Sequence, residues 1–152
     1  GLQPVSHAFA KAAMFLSAGL LALALGHDRI AGLVGVGRVL PLSIFAFGLG
    51  GLSLMGLPPS GGFVAKWLLL RASIETGQWW WSLVIVTGGL FTGGYVYRVL
   101  APALRRAGPP PVPCPPISRA REALVLVLAL LSVAIGLLPL TSFSLLRIGQ
   151  WP

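Results

Sequence analysis

The chain has 152 residues, 56% of them hydrophobic and only 9% charged, with eleven Lys and Arg against three acids and a net charge of +8. Soluble domains carry about 25% charged residues, so a mean hydropathy of +0.89 excludes an ordinary water-soluble globule and points to a membrane protein. One cysteine, Cys114, excludes an internal disulfide, and it lies in a proline tract without companion ligands.

Four stretches without charge, Ala12–Gly26, Val39–Ala65, Thr76–Tyr97 and Ala123–Leu146, frame the predicted elements. A helix needs roughly 20 apolar residues to cross the hydrocarbon core, and lipid forces each backbone polar group to find a partner within the protein. Strand-like alternation is absent. The expected fold class is therefore all-α, a polytopic transmembrane helix bundle of about five spans in a single domain over residues 1–152.

The first helix is predicted over 4–25, ending near Gly26-His27-Asp28-Arg29, and a short glycine-rich link leads to Arg38. A second covers 40–57, with Pro41 in its tolerated first turn. Pro58 and Pro59 stop it, because neither donates a backbone hydrogen bond. The third restarts at Gly61 and runs to residue 76, so a broken helix is expected near Pro58–Gly62. Trp79-Trp80-Trp81 follows, a residue type that favours the membrane–water interface. The fourth helix spans 80–104, with Gly88, Gly89, Gly93 and Gly94 offering close packing. Residues 105–121, RRAGPPPVPCPPISRAR, form an extended polyproline-type loop carrying four arginines, and the last helix covers 122–141.

Positive loops stay on the cytoplasmic side, so loop 105–121 is expected inside a bacterial-type inner membrane. That choice runs the third helix outward, sets the Pro-Pro-Ser-Gly-Gly break toward the cytoplasm and leaves the tryptophans outside. Lys66 then lies seven residues past Pro59, about 10 Å along a helix at 1.5 Å per residue, near mid-membrane. Basic chains also bind nucleic acid, but these arginines fall mainly at the ends of apolar runs. They fit topology signals and lipid headgroups, and no nucleic-acid partner is expected. The chain opens on Gly1, directly into an apolar run, and is expected to be the C-terminal part of a longer protein.

Nine arginines sit mostly at run ends, whereas both lysines, Lys11 and Lys66, lie inside apolar runs. Arginine stays protonated in proteins, while a buried lysine can exchange its proton. Ionisable groups inside the membrane are candidate functional sites by default; the alternative is snorkelling, with the ammonium reaching the headgroups. His7 stands four residues before Lys11 on the same helical face and can relay protons near neutral pH. An interrupted helix is tolerated where its backbone faces protein or water, and such breaks recur at ion sites of transporters; the alternative is a tight turn. Arg71 and Glu75, at i,i+4, are expected to pair, and Tyr95, Tyr97 and Arg98 to anchor an interface. No redox ligand cluster, phosphate loop or nucleophile–base set is visible. No cofactor is expected in this chain, and electron or nucleotide chemistry would belong to another subunit.

HAFAKAAMFLSAG (His7–Gly19) resembles the His-x-x-x-Lys-x-x-x-Phe-Leu-x-x-Gly helix of the antiporter-like membrane subunits of respiratory complex I. GLSLMGLPPSGGFVAKWLLL (Gly51–Leu70) resembles their Pro-Pro, Gly-Phe and lysine segment. The likeness extends over about Ser6 to Arg98. That family takes in the proton-pumping subunits of NADH:quinone oxidoreductase, multi-subunit sodium/proton antiporter subunits and membrane-bound hydrogenase subunits, which the two motifs do not separate.

The resemblance implies the last five of fourteen core helices, in a complex with other membrane subunits, moving protons or sodium. It makes Lys66 the proton-carrying lysine beside the break formed by Pro58, Pro59, Gly61 and Gly62. Lys11 and His7 become the linking groups that pass protons along the membrane plane. The family's first half-channel is not in this chain, so the chain alone is not expected to pump. A non-conducting structural subunit is the competing reading, and it predicts that both lysines tolerate Met or Leu.

Overall fold

A computed structural model describes residues 3–58, 60–106, 108–113 and 115–137. Pro59 of the expected break, Cys114, and the expected end of the last helix at 138–141 lie outside them. The described residues form five α-helices and two short 3₁₀ turns, with no strand among them. The helices are α1 (Gln3–Leu25), α2 (Pro41–Met55), α3 (Gly61–Glu75), α4 (Trp80–Leu104) and α5 (Arg119–Leu137).

Local chemistry sets most of these boundaries. Gly26, at φ 71°, closes α1 in the left-handed conformation that lacks penalty only for glycine. Pro41 opens α2 at its first turn, and Gly56, at φ 78°, closes it by donating its N–H to the Leu52 and Ser53 carbonyls. Ser60 then restarts the chain as the cap of α3, its hydroxyl accepting from the Phe63 N–H at 3.2 Å. α5 begins at Arg119, three residues before the expected Glu122, because the Ser118 carbonyl already accepts from the Arg121 and Glu122 N–H groups.

Two apolar clusters hold the bundle together. Met14, Leu21, Ile44, Phe47, Val96 and Val99 join α1, α2 and α4, and Ala13, Ala46, Val125 and Ala129 join α1, α2 and α5. The outer surface is as greasy as the core: Phe15, Leu90 and Phe91 are 73%, 71% and 77% exposed. Large apolar patches on a surface mark a membrane or partner-facing side. Residues Pro4–Leu25 and Trp80–Leu104 are each long and apolar enough to cross a bilayer.

α2 and α3 have 15 residues apiece, about 22 Å at 1.5 Å per residue, which is short of a roughly 30 Å hydrocarbon core. Their placement explains the shortfall. Descending α4, Leu100 lies against Gly48, Val96 against Gly51, Gly93 against Met55 and Gly89 against Lys66. Ser82 ends the series, its hydroxyl 2.6 Å from that of Ser73. Both helices therefore run antiparallel to α4 and in the same direction as each other, one after the other. α3 thus continues the heading of α2, and the segment of the expected break near Pro58–Gly62 falls between them. It lies beside the middle of α4. The physical reason is the pair of caps: Gly56 ends α2, and Ser60 restarts α3 five residues after Met55.

Candidate functional site

The break is built from small residues that let three helices meet it closely. A Cβ on Gly62 would run into the Ser53 carbonyl, one on Gly61 into the Ser6 hydroxyl, and one on Gly136 into Ser60 and Gly61. Beneath it three buried hydroxyls tie α1, α2 and α5. Ser6 donates to the Ser132 carbonyl at 2.9 Å, Ser132 returns a bond to the Ser6 carbonyl at 3.0 Å, and the Ser53 and Ser132 hydroxyls are 3.0 Å apart. These serines, at 0–2% exposure, carry hydroxyls that lipid cannot hydrogen-bond, and each is satisfied.

Lys66 sits in the second turn of α3 and reaches back across the break. Its Nζ donates to the Met55 carbonyl at 2.7 Å, one of the last carbonyls of α2 that have no intrahelical partner. A cation at a helix C-terminus also meets the negative end of the helix dipole. The amine is half-buried and borders a groove of about 610 Å³ between α3 and α4, lined by Met55, Gly56, Trp67, Gly89 and Gly93 among others. Gly89 is the tenth residue of α4, so Lys66 lies about 15 Å from one end of a helix roughly 37 Å long. The hydrogen bond turns the side chain toward the end of α2.

The other sequence-predicted residues lie elsewhere. His7 and Lys11 are exposed along one face of α1, in line with Phe15, and neither borders the groove nor bonds Lys66. Pro58 is exposed beside the break. The Arg71–Glu75 pair forms at 2.6 Å on the exposed surface, and Trp80 stacks on Trp81 with ring centroids 4.3 Å apart. Sequence reasoning missed Glu122, a carboxylate only 1% exposed. It accepts from the Ser43 N–H at 3.3 Å, the Ser43 hydroxyl at 3.4 Å and Arg119 at 3.1 Å. One signal was available: it is one of only three acids, and no charged residue follows it in α5. The serine cluster was legible only as hydroxyls inside apolar runs.

The fold and its apolar surface define an all-helical membrane protein, with a half-buried lysine amine set against the end of α2. The chain belongs to the NADH:quinone oxidoreductase/Mrp antiporter transmembrane family, whose model matches residues 2–92. It is 36% identical over 110 residues to NADH-quinone oxidoreductase subunit N of Desulforudis audaxviator, covering 72% of this chain and 22% of that protein. It is 37% identical over 100 residues to NADH-ubiquinone oxidoreductase chain 5 of Phytophthora infestans, covering 62% of this chain and 15% of that one. F(420)H(2) dehydrogenase subunit N of Methanosarcina mazei is 25% identical over 108 residues, covering 65% and 22%. The chain thus spans about a fifth or less of the length of these relatives.

Proposed function

We propose that this chain is the proton-conducting C-terminal part of a membrane subunit in a quinone-reducing, NADH:quinone oxidoreductase-type complex. The observation that carries the reading is the Lys66 amine, 2.7 Å from the Met55 carbonyl at the interruption between α2 and α3. A lysine there keeps a hydrogen bond whether it is an ammonium or a neutral amine, so it can lose and regain a proton without abandoning its partner. Open helix ends supply the polar backbone that hydration needs within a bilayer. The family match supports the assignment to ion-moving membrane subunits, and the relatives' names support the link to quinone reduction.

On this reading α2 and α3 make one interrupted span, and α1, α4 and α5 make the others. His7 and Lys11, exposed on α1, hand protons along the membrane plane toward parts of the full-length protein that pack on that face. Electron transfer belongs to partner subunits. Residues 105–121 face the cytoplasm of a bacterial-type inner membrane. A membrane-impermeant thiol reagent tests that orientation on Val112→Cys in a Cys114→Ser background, because Val112 is 86% exposed. Labelling is expected in inside-out vesicles and absent from intact cells, and the reverse pattern inverts the topology.

The family also contains sodium/proton antiporter subunits, and one experiment separates the two activities. The full-length complex is reconstituted in liposomes, and proton uptake is followed during quinone reduction by its electron donor. Proton uptake that stops with a quinone-site inhibitor is expected. Flux that follows a sodium gradient and ignores the inhibitor would replace this reading with the antiporter. Lys11→Met is expected to cut uptake without blocking quinone reduction. Full uptake in both Lys11→Met and Lys66→Met would leave a structural subunit only.

A further inference from the structure

α2 is held at its two ends by side chains of opposite charge, neither of which belongs to it. At its N-terminus no local residue caps it: Leu40 supplies no side-chain bond and Pro41 has no N–H. The Glu122 carboxylate from α5 fills that role, accepting from the backbone N–H and hydroxyl of Ser43 in the first turn. At the C-terminus the Lys66 amine takes the Met55 carbonyl. Each charge suits the dipole end that it meets.

α5 also fixes where α2 stands along the bundle. Glu122 bonds Ser43 and, ten residues further along both helices, the Ser132 hydroxyl meets that of Ser53. The two rungs join residues 79 apart in sequence, so α2 and α5 lie parallel and in a single register. The carboxylate rung has two contacts, at 3.3 and 3.4 Å, against one of 3.0 Å for the serines, and a carboxylate acceptor makes roughly twice as strong a bond as a neutral one of the same geometry. Burying a carboxylate is expensive unless it is fully bonded. Packing α5 against α2 needs no charge at this position, so the carboxylate has a task beyond filling space.

We propose that Glu122 is a positioning residue for Lys66: by anchoring the first turn of α2 in register with α5, it sets the Met55 carbonyl, at the other end of α2, within reach of the amine. The coupling is mechanical. A helix dipole acts only within its first and last turns, whereas a packed helix of 15 residues shifts as a body. This inference rests on the role proposed above for Lys66, and it concerns a residue outside both motifs that mark the family.

The test is made on the full-length protein in its complex, with hydrogen–deuterium exchange of α2 read beside proton uptake. In Glu122→Ala the Gly56 and Leu57 amides, which bond to Leu52 and Ser53, exchange about tenfold faster as the last turn loses its fixed place. Proton uptake falls with them, Glu122→Asp restores both in part, and Ser132→Ala has the smaller effect. Faster exchange confined to residues 42–45 overturns the proposal, because Glu122 is then only a local cap. So does an aspartate variant no better than alanine. If Glu122→Ala does not assemble, Glu122→Gln, which keeps an acceptor for Ser43 but loses the charge, is expected to assemble with roughly threefold faster exchange at Gly56 and Leu57. Wild-type exchange in that variant overturns the proposal equally. Failure of the Lys66 role looks different: normal uptake in Lys66→Met, with the exchange effect of Glu122→Ala still present.

Discussion

If Lys66 carries protons as proposed, Lys66→Met is expected to lower proton uptake by the reconstituted full-length complex by at least about tenfold, at normal assembly, because positioned proton-transfer groups contribute on the order of 10² to 10⁴ to rate. Methionine fills a similar volume and packs well in irregular apolar space. It offers no proton and no donor for the Met55 carbonyl, which Lys66 approaches to 2.7 Å. Leaving this half-buried acceptor unpaired costs at most about 1–3 kcal/mol, the figure for a fully buried group, a loss that a large helical protein can absorb without unfolding. Lys66→Arg separates two roles that methionine removes together. Arginine keeps the charge and several donors but does not release its proton near neutral pH. It is expected to assemble well and still to lose uptake. Uptake at the wild-type level in Lys66→Arg would mean that Lys66 acts as a fixed charge rather than a proton carrier. The measurement is acidification or alkalinisation of the vesicle lumen per quinone reduced, with assembly checked by the yield of intact complex.

Gly62→Ala is expected to damage the same site by geometry alone. A helical glycine exchanged for alanine ordinarily gains about 1 kcal/mol of propensity. Here the new methyl would run into the Ser53 carbonyl, which already accepts the Gly56 N–H that closes α2. That oxygen is backbone and cannot swing aside as a flexible side chain does. Overpacking costs about 1–3 kcal/mol and sometimes more, so the clash outweighs the gain in propensity. The first turn of α3 moves outward and takes Lys66 away from Met55. The expected results are a lower melting temperature of the purified complex and a fall in proton uptake. Gly88→Ala, where an added Cβ meets nothing within 4 Å in this chain, is the matched comparison. Equal stability and uptake in the two variants would mean that the close approach at Gly62 is not needed.

Much of the architecture was legible because the physical signals were local. The run from Trp80 to Leu104 reads as one helix on both views, since its apolar length and the tryptophans at its start leave little choice. Pro41 and the Pro58–Gly62 run act within a turn or so of themselves, so the start of α2 and of α3 followed from residue type; Gly56 ends α2 at Met55, two residues before the expected 57. Lys66 stood out as a charge in an apolar run, and the Arg71–Glu75 pair needed only helical spacing.

Other features depended on residues far apart in the chain. Pro-Pro-Ser-Gly-Gly says that a helix stops, but not whether the next one turns back or continues. The close approaches of Gly61 to Ser6 and of Gly62 to Ser53 settle its heading, and they come from α1 and α2. Glu122 looked like the start of an apolar helix and is instead a cap for another helix 79 residues earlier.

By itself the sequence determined that this is an all-helical membrane protein, where its helices begin and end within a few residues, and which lysine stands beside a break. Those properties follow from hydropathy and from backbone preferences that act over one or two turns. Only the tertiary structure decided that α2 and α3 run on in one direction along α4, that the Lys66 amine meets the Met55 carbonyl, and that α5 holds α2 at both ends. Apart from the Lys66–Met55 bond, which joins residues 11 apart, these are contacts between distant segments, set by how side chains of different size interlock, and no local pattern encodes them.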